Sequence, residues 1–248
     1  MKLLFDIGNT RLKCARWDGR SLHNARALNH GDASATDFAA LWKDAQNIES
    51  AWIASVGAAA LDKKLADLLR EQLGCPVNFV HSQAHACGVT GAYARPGDLG
   101  VDRFLGMIAA HAQHSRASVV ASCGSALTVD ALTADGTHLG GLIAPGVRLM
   151  QEALHTGTAR LGNAQAARVV EMADNTAEAI ASGIQLAAVA LIERFVLRAA
   201  TRLGSEPALI LTGGDASRVS PLLAIAHRIQ SDIVLQGLAL FADSRVSC

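Results

Sequence analysis

The feature that most constrains this chain is a pattern that occurs twice. Lys2 to Lys13 reads as a hydrophobic strand, a Gly8-Asn9 turn and a returning strand. Ser118 to Asp130 repeats it, with Val119-Val120-Ala121 leading to Ser122-Cys123, a Gly124-Ser125 turn and the strand Ala126 to Asp130. Aligning Gly124 on Gly8 sets Ser122 over Asp6, Ser125 over Asn9 and Ala126 over Thr10. A hairpin that restarts in mid-chain predicts two related domains, 1–116 and 117–248. The 248 residues suffice for two cores, since half of them are hydrophobic. Two similar domains facing each other would make a cleft, a preferred place for a small ligand.

The segments around the hairpins alternate between strand and helix. A helix is expected over 36–46, and Ser50 to Val56 reads as a strand. Leu61, Leu65, Leu68 and Leu69 recur at helical spacing and predict a helix over 58–73, stopped by Gly74. A strand over 77–80 leads to a loop rich in glycine and then to a helix over 102–114. The second half continues with strands over 138–144 and 208–212, and its longest helical stretch runs from Asn175 to Leu203. This alternation predicts an α/β architecture.

Composition removes several classes of partner. The 22 basic residues balance 22 acidic ones, so no basic excess points to nucleic acid or an anionic membrane. The five cysteines (Cys14, Cys75, Cys87, Cys123 and Cys248) form no C-x-x-C pair and are odd in number. They read as free thiols in a reducing compartment, which predicts a cytoplasmic protein. The nine histidines are scattered, without the carboxylates or cysteines that would complete a metal set. Asp6 interrupts the early apolar run, so no signal peptide is expected. The most apolar helix, around Leu186 to Leu197, contains Glu193 and Arg194 and is expected to be too short to span a bilayer.

Chemistry concentrates in glycine-linked segments. Asp6 ends a buried strand, where an unpaired charge is costly and a cation is the usual answer. Gly8 allows close backbone approach, Asn9 and Thr10 supply donors, and Lys13 adds positive charge; together they suit a metal-bound phosphate. An ordinary hairpin uses the same Gly-Asn turn, so both readings stand at this point. The other segments are Tyr93 to Arg103, Cys123 to Asp130 with Gly140-Gly141 and Pro145-Gly146, and Leu211 to Ala216. None follows the Walker or Rossmann pattern. In Asp102-Arg103, the carboxylate could orient an acceptor hydroxyl, and the guanidinium could meet the charge of a transferred phosphoryl group. A helix-initiating Asp beside a surface Arg would look the same. Asp174-Asn175-Thr176 reads as a helix cap, with backbone donors that could face a ligand.

Taken in order, these segments resemble type III pantothenate kinase over almost the whole chain. The resemblance rests on Asp6-Ile7-Gly8-Asn9-Thr10 with Lys13, on Tyr93 and Leu99-Gly100-Val101-Asp102-Arg103, and on Gly124 to Asp130. It extends to Gly140-Gly141 with Pro145-Gly146 and to Asn175-Thr176 with Ala179-Ile180. It implies two ribonuclease-H-like domains with a nucleotide cleft between them, as in acetate and sugar kinases, heat-shock ATPases and actin. It also implies transfer of the ATP γ-phosphoryl group to pantothenate, the first step of coenzyme A biosynthesis. Asp6 would then position Mg²⁺, directly or through water. Asp6, Ile7, Gly8, Asn9, Thr10, Arg11, Leu12, Lys13 and Ser125 would contact ATP. Tyr93, Gly100, Val101, Asp102 and Arg103 would line the pantothenate site, with Asp102 as general base. Thr176 would reach the pantothenate site of a neighbouring subunit, which implies a homodimer.

The family also uses a monovalent cation, K⁺ or NH₄⁺, and here the chain departs from its pattern. The usual aspartate ligand is replaced by Ser122, a neutral and weaker donor for a hard cation. Ser125 replaces a threonine and keeps its hydroxyl. The need for the cation is therefore left open by the sequence. Two alternatives remain beside the kinase: a non-catalytic accessory regulator of gene expression on the same fold, and a kinase of another hydroxylated metabolite.

Overall fold

The computed structural model describes residues 1–114, 116–158 and 168–244. Cys248 lies outside the described residues. The chain divides into two compact units, Met1–Gln113 together with Asp232–Cys248, and His114–Ser231.

The first unit is built on five strands: β1 (Lys2–Ile7), β2 (Arg11–Trp17), β3 (Leu22–Asn29), β4 (Ser50–Ser55) and β5 (Val77–Val80). Their order is β3-β2-β1-β4-β5, with β1, β2 and β3 antiparallel and β4 and β5 parallel to β1. Alternation along β1 sends Leu3, Phe5 and Ile7 to one face. There they share a core with Phe38, Trp42, Leu65 and Leu69 from the region of α1 (Ala35–Ala40) and α2 (Ala59–Leu73). The opposite face of the sheet packs against α3 (Val101–Gln113) and α7 (Ile233–Ser244).

Two expectations need correction in this unit, and one strand has no counterpart among them. β3 reads in the sequence as a polar stretch because, as an edge strand, it buries almost nothing. The first helix is shorter than 36–46: after Ala40 the chain tightens into turns, with Leu41 N–H on the Phe38 carbonyl and Trp42 N–H on the Ala39 carbonyl. The final helix belongs to the first unit, although 117–248 was expected to stay together. Its apolar face (Ile233, Leu235, Leu238, Ala239, Phe241) covers sheet surface that α3 leaves open. Asp243 then receives the Lys2 ammonium at 2.5 Å and the Trp17 indole N–H at 2.9 Å.

The contact between α3 and α7 is very close at Gly237, where a Cβ atom would run into the backbone carbonyl of Leu105. Gly237→Ala is expected to lower stability by about 1–3 kcal/mol, read as a lower unfolding midpoint in urea. An unchanged midpoint would contradict this packing.

The second unit repeats the arrangement. Its strands are β8 (Ser118–Cys123), β9 (Ala126–Leu132), β10 (His138–Pro145), β11 (Ala208–Thr212) and β12 (His227–Ile229), in the order β10-β9-β8-β11-β12. A two-stranded ribbon, β6 (His85–Ala86) with β7 (Val89–Thr90), precedes it in the chain. Val119, Ala121, Leu127, Val129, Leu209 and Leu211 form the core face, which packs with α4 (Val147–Gly157), α5 (Thr176–Leu203) and the short α6 (Ala216–Val219). The expectation that the apolar helix is too short to span a bilayer is corrected. Its apolar stretch begins well before Glu193, and by length and composition alone the 28-residue α5 is long enough. Ala188, Val189, Ile192 and Ala199 bury its inner face in the protein core.

The two hairpins match up to the turn and then differ by one residue. Asp6 stands opposite Lys13, whereas Ser122 stands opposite Thr128. In the first turn Gly8 N–H donates to the Arg11 carbonyl; in the second Gly124 N–H donates to that of Ala126. The alignment of Ala126 on Thr10 therefore fails. Ala126 opens β9 as Arg11 opens β2, and Thr128 occupies the register position of Lys13.

Candidate active site

In the first unit the fold gathers distant residues at one end of β1. Asp6 and Lys2 lie four apart on β1 and so share the face that α3 and α7 cover. Lys13 is the direct cross-strand partner of Asp6. Asp102 sits in the first turn of α3. Its negative charge reaches Asp6 and raises the Asp6 pKa, while Lys13 lowers it. Burial is the largest cause, and the carboxyl ends at about 6 instead of 3.8. Asp6 is thus a carboxylate whose ionisation is disfavoured chiefly by burial, within electrostatic reach of a second carboxylate.

The loop before α3 supplies the next layer. Arg103 is 7% exposed, and its Nη1 donates to the Tyr93 hydroxyl at 3.1 Å. Its guanidinium also lies over the Tyr93 ring, 5.7 Å from the centroid. Asp102 Oδ1 accepts from the Arg103 backbone N–H at 2.8 Å. A Cβ at Gly100 would stand 2.7 Å from Asp102 Oδ1, so a side chain there would push on the Asp102 carboxylate. Ser82 Oγ donates to the Leu99 carbonyl at 2.7 Å and ties this loop to the end of β5.

The Gly8-Asn9-Thr10 turn is held on two sides. Val56 N–H donates to the Ile7 carbonyl, and His30 reaches the turn from the end of β3. Asn9, Thr10 and Arg11 are exposed, but the side chains of Ile7 and Leu12 lie fully in the core. Those two can meet a ligand only through backbone atoms. Val101 is likewise buried, at 6% exposure. His30 and Ser82 escaped sequence reasoning because no local pattern marks them; each acts across a long chain separation.

The remaining expected residues lie in the second unit. Ser122 is in register with Thr128 on one side and Thr212 on the other. Where the first unit has Asp6, this row sets the hydroxyls of Thr128, Ser122 and Thr212 side by side, followed by Ile143 on β10. Ser125 accepts the Gly146 N–H on its carbonyl at 2.9 Å, and Cys123 accepts that of Asp215 at 2.9 Å. Cβ atoms at Gly146 and Gly213 would collide with the backbones of Gly124 and Cys123, respectively. The third and fourth glycine segments thus converge on one hairpin tip. Thr176 is exposed in the first turn of α5, and Asn175 caps that helix by accepting the Glu178 N–H at 3.0 Å. Both line an apolar cavity of about 930 Å³ with Met150, Leu154, Ile180 and Ile184.

Whether these residues suit a metal can be tested on the donor set. Among the described residues no cluster of three or more His, Cys, Asp or Glu could cage an ion. Mg²⁺ does not require one, because it is usually held by one or two carboxylates plus substrate phosphates and water. Asp6, a hard oxygen donor whose charge is disfavoured by burial, fits that role.

Paired sheets of this topology with an acid-bearing hairpin define a class, the sugar-kinase and actin-like fold. Solved structures agree. The chain matches a ROK hexokinase from Thermus thermophilus with a TM-score of 0.53 at 14% identity, covering 100% of this chain and 99% of that one. It matches a conserved candidate Baf family transcriptional activator from Campylobacter jejuni with a TM-score of 0.60 at 21% identity, covering 99% and 100%. The family model described as type III pantothenate kinase matches residues 2–198. A type III pantothenate kinase of Chromobacterium violaceum is 40% identical over 246 residues, which are 98% of this chain and 100% of that protein. One from Xanthomonas campestris pv. campestris is 42% identical over 242 residues, 96% of each. The chain belongs to the type III pantothenate kinase family.

Proposed function

We propose that this protein transfers the γ-phosphoryl group of ATP to the primary hydroxyl of pantothenate, giving 4′-phosphopantothenate at the start of coenzyme A biosynthesis. The observation that carries this reading is the grouping in one unit of Asp6 near the end of β1, Lys13 opposite it in the hairpin, and Asp102 in the first turn of α3, within electrostatic reach of Asp6. Family membership supplies the substrates.

Each side chain then has a task. Asp6 would hold Mg²⁺, which when bound neutralises charge on the nucleotide phosphates. The turn from Gly8 to Lys13 offers backbone and side-chain donors to the same phosphates, and Ser125 adds a hydroxyl. Asp102 accepts the proton of the acceptor hydroxyl as it attacks. Arg103, fixed by Tyr93, faces the charge of the acceptor or of the transferred group. Gly100 and Val101 give the acceptor a backbone wall. Thr176, exposed beside the apolar cavity, would reach the partner subunit's pantothenate site in a homodimer. The free thiols Cys14, Cys75, Cys87 and Cys123 support action in the cytoplasm.

Ser122 sets this chain apart. With Thr128 and Thr212 in the same row it offers only neutral donors, so we infer weak dependence on a monovalent cation. The test is a steady-state assay of purified protein with Mg-ATP and pantothenate in K⁺, NH₄⁺ or Na⁺. Phosphopantothenate should form in all three, with rates within about threefold, too small a spread for a bound charge partner. Strong activation by K⁺ would show that other groups hold the ion. Nucleotide binding without product in any of the salts would overturn the kinase reading and favour an accessory regulator.

A further inference from the structure

The residue His30 stands outside every motif, yet it grips the turn assigned to phosphate binding. Its Nε2 lies 2.8 Å from the Gly8 carbonyl oxygen, and its backbone N–H donates to the Thr10 carbonyl at 3.3 Å. A carbonyl oxygen only accepts, so Nε2 carries the proton in this contact. The imidazole is partly buried, and the bond spans 22 residues of sequence.

We infer that His30 is a positioning residue for the nucleotide phosphates, acting through the Gly8-Asn9 peptide. This rests on the phosphate role proposed above for that turn. The Gly8 carbonyl and the Asn9 N–H belong to one planar trans peptide, so they point in opposite directions. Drawing the carbonyl onto His30 directs the Asn9 N–H away from the imidazole, on a residue that is itself exposed. The same contact keeps a partial negative charge from turning toward a polyphosphate. Gly8 adds no side chain to stiffen the turn and allows more backbone freedom than any other residue. Backbone bonds hold the two ends of the turn, and His30 adds a side-chain tether on the Gly8 carbonyl and a backbone one on that of Thr10. Preset donors matter because a turn that must reorganise on binding forfeits part of their strength.

Two variants of the full-length enzyme test this. His30→Ala removes the donor; His30→Gln retains an amide N–H on a side chain of similar reach. Steady-state kinetics should show the KM for ATP raised roughly tenfold in His30→Ala, the scale of one lost hydrogen bond. The KM for pantothenate should stay within about twofold, since that site does not touch the turn's carbonyl. His30→Gln should recover most of the ATP affinity. An unchanged KM for ATP in His30→Ala overturns the inference. So does a parallel loss in both KM values that glutamine does not rescue, because that pattern marks general destabilisation. Calorimetric titration with Mg-ADP separates this from the proposed reaction. If wild type binds Mg-ADP and His30→Ala binds it about tenfold more weakly, the positioning role holds even where pantothenate is not phosphorylated. If both bind equally, it fails even where pantothenate is the substrate.

Discussion

Asp102→Asn is expected to reduce turnover of pantothenate by about two to four orders of magnitude, the usual contribution of a positioned general base. The fold should survive the change. Asp102 accepts the Arg103 backbone N–H through Oδ1, and asparagine has an oxygen for the same bond. What asparagine lacks is the capacity to take a proton. Single-turnover rates, which bypass product release, should fall as far as kcat, while Mg-ADP affinity stays close to that of wild type. The substitution also removes a negative charge that disfavours ionisation of Asp6, so the Asp6 pKa should move down from about 6. Turnover within tenfold of wild type would show that another group takes the proton, or that none is needed.

Asp6→Asn is expected to abolish turnover and to stabilise the free protein. The pKa of Asp6 is raised from 3.8 to about 6, first by burial and then by Asp102, with Lys13 opposing. A carboxyl with a raised folded pKa favours the folded state fully at low pH, where it is protonated. That contribution is lost as pH rises from 3.8 to about 6, and above this window the native state carries an unfavourable charge. The cost is on the order of 1–3 kcal/mol. Asparagine carries no charge, so the variant should melt several degrees higher than wild type at pH 8, without nucleotide. The gap should close as pH falls toward 4. With Mg-ATP present the order should reverse, because wild type alone gains the binding energy. A variant no more stable than wild type at pH 8 would mean that Asp6 is well compensated in the free protein, chiefly by Lys13.

The hydrophobic pattern and turn chemistry were enough to expect much of this. Period-two runs ending in glycine turns marked both hairpins, and the restart at Ser118 marked the duplication, because sheet strands advertise their buried face in every second residue. α2 and its Gly74 stop were equally legible; Gly74 does adopt the left-handed conformation, at φ +60°. β3 was not legible, since an edge strand with exposed side chains carries no hydrophobic alternation. The departure of α7 from the second half was also hidden. Its apolar surface would suit any uncovered sheet, and only the packing of Gly237 on Leu105 and the clasp of Asp243 by Lys2 and Trp17 select the first.

For the site, the sequence alone determined the residue types: an acid at a strand end, a glycine turn, an Asp-Arg pair and a serine in place of a carboxylate. Local chemistry carries that much, because each motif is read within a few residues. Tertiary structure decided which of them act on one another. It brought Asp102 within electrostatic reach of Asp6, stacked Arg103 on Tyr93, shortened the second hairpin so that Thr128 stands in the place of Lys13, and brought His30 to the Gly8 carbonyl. These are relations across many residues of chain. They follow from strand register and helix docking, which no short stretch of sequence specifies.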